Sequence, residues 1–218
     1  MNALAARTPL EDSSGGETTR VDELARLRER IARIERTTRT GSDVRLLPAP
    51  AGIADALGGG LKAGAAYALD RSMPLLAAML AGPSRAGTWC AVVGMPELGI
   101  EHALEAGIDP ERLVLVPHPG ERWLGVTAAL AEVIGVIALR PGGRVRDGEA
   151  VRLAARLRER ETVLLAQGDW PGAEAAIAVE SMTWTGLGDG HGYLDRGRMT
   201  VSVRSRRAAA RPTLAAVG

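Results

Sequence analysis

The tetrapeptide Asp70-Arg71-Ser72-Met73 stands at a junction where many nucleotide-binding proteins keep their chemistry, and its residues are wrong for that task. It joins an apolar run at 64–69, which reads as a buried strand, to an apolar stretch at 74–81, which reads as a helix. A phosphate-binding loop at such a junction has the form G-x-x-x-x-G-K-[ST]. Backbone amides cradle the phosphates, the lysine neutralises them and the hydroxyl holds magnesium. Here the connection has no glycine and no lysine and is too short to wrap a phosphate. Asp70 adds a carboxylate where an anion would have to sit. The chain's one lysine, Lys62, precedes the strand, and Arg71 is the only neighbouring cation available as a substitute.

Other chemistry-bearing residues are few. His102, His118 and His191 have no ligand spacing among them and no cysteine or acid cluster beside them, so a metal site is not expected. No Ser-His-Asp arrangement is visible, and no catalytic residue is assigned. The lone cysteine, Cys90, excludes an internal disulfide and reads as a small buried hydrophobe within the run 89–94. Arg144 and Arg146 mark a basic segment starting at Arg140, and Arg152, Arg156 and Arg160 recur at i, i+4, i+8 as one ridge. Clustered cations suit phosphate contacts. The plainer reading of the ridge, a solvated helix face balanced by Glu149, Glu159 and Glu161, is preferred. Trp170, beside Pro171, can stack on an unpaired base, anchor a partner or cap the core.

The elements that must position these residues follow from composition and rhythm. At 218 residues, 46% hydrophobic and 24% charged, the chain has material for one ordinary domain. With no Phe and 3% aromatics, its core must be aliphatic, which suits a parallel sheet covered by helices. Strands are expected at 65–69, 89–94, 113–116, 134–139 and 162–167, with helices at 74–82, 97–106, 122–132 and 147–160. Such alternation means right-handed crossovers and a parallel sheet. After residue 174 the pattern becomes an antiparallel meander, with strands at 177–185, 193–194 and 198–204, the last an edge strand.

The organisation expected is a disordered 1–18, an N-terminal helix within 19–40, a linker at 41–57, a core at 58–207 and a flexible tail at 208–218. Leu24, Leu27, Ile31 and Ile34 form a narrow seam on that helix, suited to docking or oligomerisation. No apolar stretch reaches the length of a membrane span and no signal-peptide pattern opens the chain, so a cytoplasmic protein is expected. The net charge is +1, yet six arginines and no acid follow residue 195, which leaves the body at −5. That asymmetry is compatible with nucleic-acid contact.

Glycine, proline and tryptophan landmarks add a resemblance. Gly59-Gly60-Leu61-Lys62-Ala63-Gly64, Leu80-Ala81-Gly82-Pro83-Ser84, Gly87-Thr88-Trp89-Cys90-Ala91-Val92-Val93-Gly94, Arg140-Pro141-Gly142-Gly143-Arg144-Val145-Arg146, Trp170-Pro171-Gly172-Ala173 and Gly186-Leu187-Gly188-Asp189-Gly190-His191-Gly192 resemble the actinobacterial ImuA-prime group of RecA-like accessory proteins. The resemblance implies an α/β RecA-like core, and a role in damage-induced mutagenic DNA synthesis beside an ImuB-like Y-family polymerase homologue and a C-family polymerase. It also implies that the fourth core strand should end in a magnesium-orienting acid in an active motor. Here that strand ends in Arg140-Pro141, so neither ATP hydrolysis nor a cofactor is expected. Segment 140–146 would occupy the place of a shortened first DNA loop, and 167–172 that of a second. The expectation is a non-catalytic adaptor with weak single-stranded DNA contact at most. The rivals are an ATPase with a rebuilt phosphate site and a SulA-type inhibitor of cell division.

Overall fold

Aliphatic runs of four or five residues can bury both faces only when helices cover the sheet they form, and the strands obey that rule. The computed structural model describes residues 44–185, 196–205 and 209–216. The expected helix within 19–40 with its seam, the segment 1–18 and the strand at 193–194 lie outside the described residues.

The chain enters through β1 (Leu46–Leu47), helix α1 (Ala51–Leu57) and β2 (Leu61–Lys62), where β1 and β2 pair antiparallel. The βα core follows: β3 (Ala66–Leu69), α2 (Met73–Arg85), β4 (Cys90–Val93), α3 (Ile100–Glu105), β5 (Leu113–Val116), α4 (Trp123–Leu130), β6 (Val136–Leu139), α5 (Asp147–Arg160) and β7 (Val163–Gln167). It closes with β8 (Ala175–Thr185), β9 (Arg196–Ser205), β10 (Ala209–Ala210) and β11 (Thr213–Ala216). The sheet order is β10-β9-β8-β3-β7-β6-β4-β5, with β11 also on β9. From β8 to β5 all neighbours are parallel, whereas β9 runs antiparallel to β8, β10 and β11.

Each helix has a local reason. Ser72 caps α2 by accepting from the Leu75 amide at 3.3 Å, and Pro74 sits in the first turn, where a missing N–H costs little. The helix continues through Pro83 to Arg85 rather than stopping at residue 82, since a proline in the last turn removes only one bond. Leu75, Leu76, Met79 and Leu80 are fully buried, each contributing roughly 1.5–3 kcal/mol of transfer free energy. In α5, Ala150, Leu153 and Leu157 form the buried stripe, and Glu149 accepts from the Arg146 amide at 3.0 Å. Cys90 is fully buried and burial pushes its thiol up to about 12, as befits a core residue.

Three expectations are corrected. The stretch 41–57 is not simply a linker, because it holds β1 and α1, with Leu47 and Ile53 in the core. The segment 208–218 is not a flexible tail throughout: β10 and β11 pair with β9, the Val201 amide donates to the Pro212 carbonyl at 3.0 Å, and Leu214 is buried. For the same reason β9 is an interior strand and not an edge. Its alternation was legible, for Met199, Val201 and Val203 are buried while Arg204 is exposed.

Candidate functional site

Parallel strands present all their carboxyl ends on one side, and in open α/β sheets that rim is where ligands bind. The ends of β3, β7, β6 and β4 meet there. After β3, Asp70 turns inward instead of lining a loop. Its amide donates to the Ile177 carbonyl at 3.1 Å, while its carboxylate accepts from the Ser72 amide at 3.0 Å and from the Val179 amide of β8. Ser72 then caps α2, and its carbonyl accepts from the Leu76 amide at 3.1 Å. Pro74 has no N–H to offer. The donors of Asp70, Ser72, Leu75 and Leu76 are therefore all engaged within the chain.

Across from this turn sits a residue that should be an acid in a motor. Arg140, after β6, donates from Nε to Gln167 Oε1 at 2.8 Å, and its guanidinium pairs with Glu97 from the loop after β4. Arg140 Nη2 and Gln167 Nε2 lie 4.0 and 3.9 Å from Met73 Sδ. Gln167 is 3% exposed, so its carbonyl oxygen depends on the arginine for a partner. One cation thus ties together the ends of β4, β6 and β7 over the start of α2. A triphosphate seated at this helix end would need free amides and an unpaired cation. With those four amides engaged and Arg140 paired, this turn offers such a ligand the exposed Arg71 and no second unpaired cation of its own.

Arg71 is exposed, and its charge falls on Glu97. The Glu97 carboxyl is held below its ordinary value first by its own backbone amide, then by Arg140 and Arg71. A depressed carboxylate stabilises the fold fully above its unfolded pKa and loses that contribution as pH falls through the folded one. Glu97 is 43% exposed, so solvent screening keeps the effect small. The stability gap between wild type and Glu97→Gln should be constant above a pH of about 5 and shrink below about 4. Chemical denaturation across that range measures it, and a gap that widens in acid contradicts the pairing.

The candidate contact residues part company. Arg144 and Arg146 are exposed and, among the described residues, make no ion pair. The loop they occupy divides two open crevices of about 1250 and 720 Å³, the larger also bordered by Arg71 and Arg204. Arg140 is corrected from a free contact to an internal tie. Trp170 is corrected too: at 5% exposure it packs in the cluster with Leu153, Leu157 and Leu164, so it caps the core and presents no stacking face. In the basic ridge, Arg156 and Arg160 pair with Glu132 at 3.4 and 2.6 Å, so the balancing acid comes from beyond α4 rather than from α5 itself. Sequence reasoning missed Glu97 and Gln167; the one signal for Gln167 was a polar residue closing an all-aliphatic strand. Among the described residues no group of three or more His, Cys, Asp or Glu is arranged to hold a metal, and no helix is long and apolar enough to cross a membrane.

Comparison with known proteins bears on the family and the fold. Residues 55–172 match the family model described as the MT3502 N-terminal domain. The uncharacterized protein Rv3395c of Mycobacterium tuberculosis is 35% identical over 120 residues, 54% of this chain and 59% of that protein. The chain therefore matches less than two thirds of that relative's length. Among solved structures, the crystal structure of the RadB recombinase superposes with a TM-score of 0.54 at 11% identity, covering 75% of this chain and 91% of that one. At such identity the likeness is one of fold, and the fold is RecA-like.

Proposed function

We propose, for a chain that belongs to the MT3502 N-terminal domain family, a non-catalytic adaptor role on a RecA-like scaffold whose nucleotide position has been closed from within. The observation that supports this reading is the internal engagement of the donors at the start of α2, together with Arg140 in the place of a magnesium-orienting acid. Phosphoryl transfer depends on positioning and on charge neutralisation at the phosphates; at this turn the Asp70, Ser72, Leu75 and Leu76 amides are engaged and Arg140 is paired, which leaves the exposed Arg71 as the neighbouring cation. The resemblance to the ImuA-prime group supports the finer part of the proposal: membership of a damage-induced translesion complex, bridging an ImuB-like polymerase homologue and a C-family polymerase. Arg144 and Arg146 remain available for weak, salt-sensitive contact with single-stranded DNA.

Calorimetric titration of the purified chain with ATP and magnesium should give no binding heat, and Ser72→Lys should confer no turnover, because Arg140 still occupies the acid's place. Turnover by the wild type that disappears in Arg71→Ala would falsify the adaptor reading. Co-expression with the ImuB-like protein should yield a complex that survives gel filtration. Failure to form it would remove the translesion assignment while leaving the sealed site untouched.

A further inference from the structure

Strands β5, β4 and β6 lie side by side, and their exits diverge. β4 leads to α3 on the sheet face where α2 packs, whereas β5 and β6 lead to α4 and α5 on the other face. A crevice opens at the carboxyl end of a strand whose neighbours turn the opposite way. Here it has a volume of about 720 Å³ and lies between Gly94 and Pro96, the loop 117–121 and the loop 140–146. That size is ordinary for a small-molecule site.

One buried donor faces this space. Trp123, the first residue of α4, is 9% exposed and belongs to the buried cluster that includes Val93, Leu139 and Val145. Its indole Nε1–H has no hydrogen-bond partner among the described residues. It still reaches open space, because His102 Nε2 is the sole fully occluded side-chain nitrogen or oxygen left without a partner among those residues. The ring edge therefore looks into the crevice that Trp123 lines. Gly142 keeps that edge uncovered: a Cβ there would stand 3.2 Å from Trp123 Cδ1 and 3.7 Å from Nε1. Buried indole N–H groups ordinarily find an acceptor, so this one marks where an acceptor atom of a ligand would sit.

The surrounding charges favour an anion. Arg144 and Arg146 line the crevice without an ion pair among the described residues, while Arg140 is held by Glu97. Of the two lining acids, Glu149 is engaged by the Arg146 amide, and Glu121 is followed by the exposed Arg122. His118 is exposed on the same wall. Pro96, Pro117, Pro119 and Pro141 have no N–H to offer, and the Gly94 amide is taken by the Val116 carbonyl. Such walls suit a phosphate badly, since a phosphate is ordinarily cradled by several amides. A planar carboxylate needs less, one guanidinium fork and one further donor. The proline rings leave apolar surface for the rest of the molecule.

We propose that this crevice binds a small organic carboxylate with an apolar body. The acid group is held between the Trp123 indole N–H and the guanidinium of Arg144 or Arg146, and the body lies against the prolines. The inference does not rest on the adaptor reading, and it concerns a different place from the β3–α2 turn. Observed ATP turnover would overturn that reading and leave this one standing.

The test follows the indole N–H itself in proton–nitrogen correlation spectra of the full chain, with the Trp123 signal assigned by its loss in Trp123→Phe. Acetate, phenylacetate and N-acetylleucine are titrated to about 10 mM, enough to fill a millimolar site. Phenylacetate and N-acetylleucine should move the signal downfield and saturate, and phenylethanol, the neutral counterpart of phenylacetate, should leave it in place. The double variant Arg144→Ala, Arg146→Ala should weaken binding by about tenfold or more. Gly142→Val, which removes no charge and covers the ring edge, should abolish the response, and circular dichroism checks that both variants remain folded. A Trp123 signal unmoved by all three acids, an equal response to phenylethanol, or wild-type affinity in both variants overturns the proposal. So does a thymidine oligonucleotide that moves the signal at lower concentration than any of the acids, since the crevice would then belong to a phosphodiester track.

Discussion

Gly94→Val should lower stability by about 3–5 kcal/mol, the largest single-residue effect expected outside the aliphatic core. Gly94 ends β4 with φ +79°, a conformation that β-branched residues avoid. A Cβ added there would come within 2.5 Å of the Arg140 backbone carbonyl oxygen. That oxygen cannot move freely, because the Arg140 amide donates to the Val93 carbonyl at 2.9 Å while the Gly94 amide holds Val116 on the other side. The side chain would therefore wedge apart the ends of β4, β5 and β6 and displace Arg140 from Gln167. For a chain of this size the melting temperature should fall by roughly 8–15 °C in a thermal scan. Gly99→Ala is the control: φ is −76° and an added Cβ meets nothing within 4 Å, so the change should stay within about 0.5 kcal/mol. A Gly94→Val protein as stable as that control would show that the backbones do not approach this closely.

Asp70→Ala comes next, at about 2–3 kcal/mol. The carboxylate is the acceptor for two amides, one three residues before the Leu75 amide that Ser72 caps and one 109 residues away on β8. Removing it leaves both donors short of a partner and loosens the tie to β8, which the Asp70 amide still holds through the Ile177 carbonyl. Asp70→Asn retains one acceptor oxygen and should cost about half as much, so urea denaturation of the pair separates lost hydrogen bonding from lost volume. The same substitution bears on function. If Asp70 alone kept nucleotide out, Asp70→Asn would bind ATP; the adaptor reading expects it to remain silent, because the Leu75 and Leu76 amides are still capped by Ser72 and Arg140 still pairs with Glu97.

Much of the core was legible because the signals are local. A strand buried on both faces is an aliphatic run, a covering helix repeats its apolar residues at three and four, and glycine or proline separates them. Thus β5 at 113–116 and α5 at 147–160 fall where the pattern puts them, and the other core strands differ by one or two residues at their ends. The missed elements lack such signals. α1 is seven residues long, has no side-chain cap and buries only Ile53. β10 and β11 are alanine-rich pieces that become strands because β9 offers them an open ladder, a property of the neighbour and not of their own residues.

The candidate site divides in the same way. That the β3–α2 turn lacks a lysine and a glycine, and that the strand before Pro141 ends without an acid, are facts of composition and order, and they alone argued against phosphate chemistry. What stands in place of that chemistry depends on contacts between residues far apart in the chain. Arg140 reaches Gln167 across 27 positions, Asp70 reaches Val179 across 109, and Trp170 turns into the core when it could as well have faced a partner. A sequence can specify which groups are available, since residue type sets charge and donor count. Only the folded sheet, by bringing the ends of its strands to one rim, decides which of those groups satisfy each other and which are left for something else.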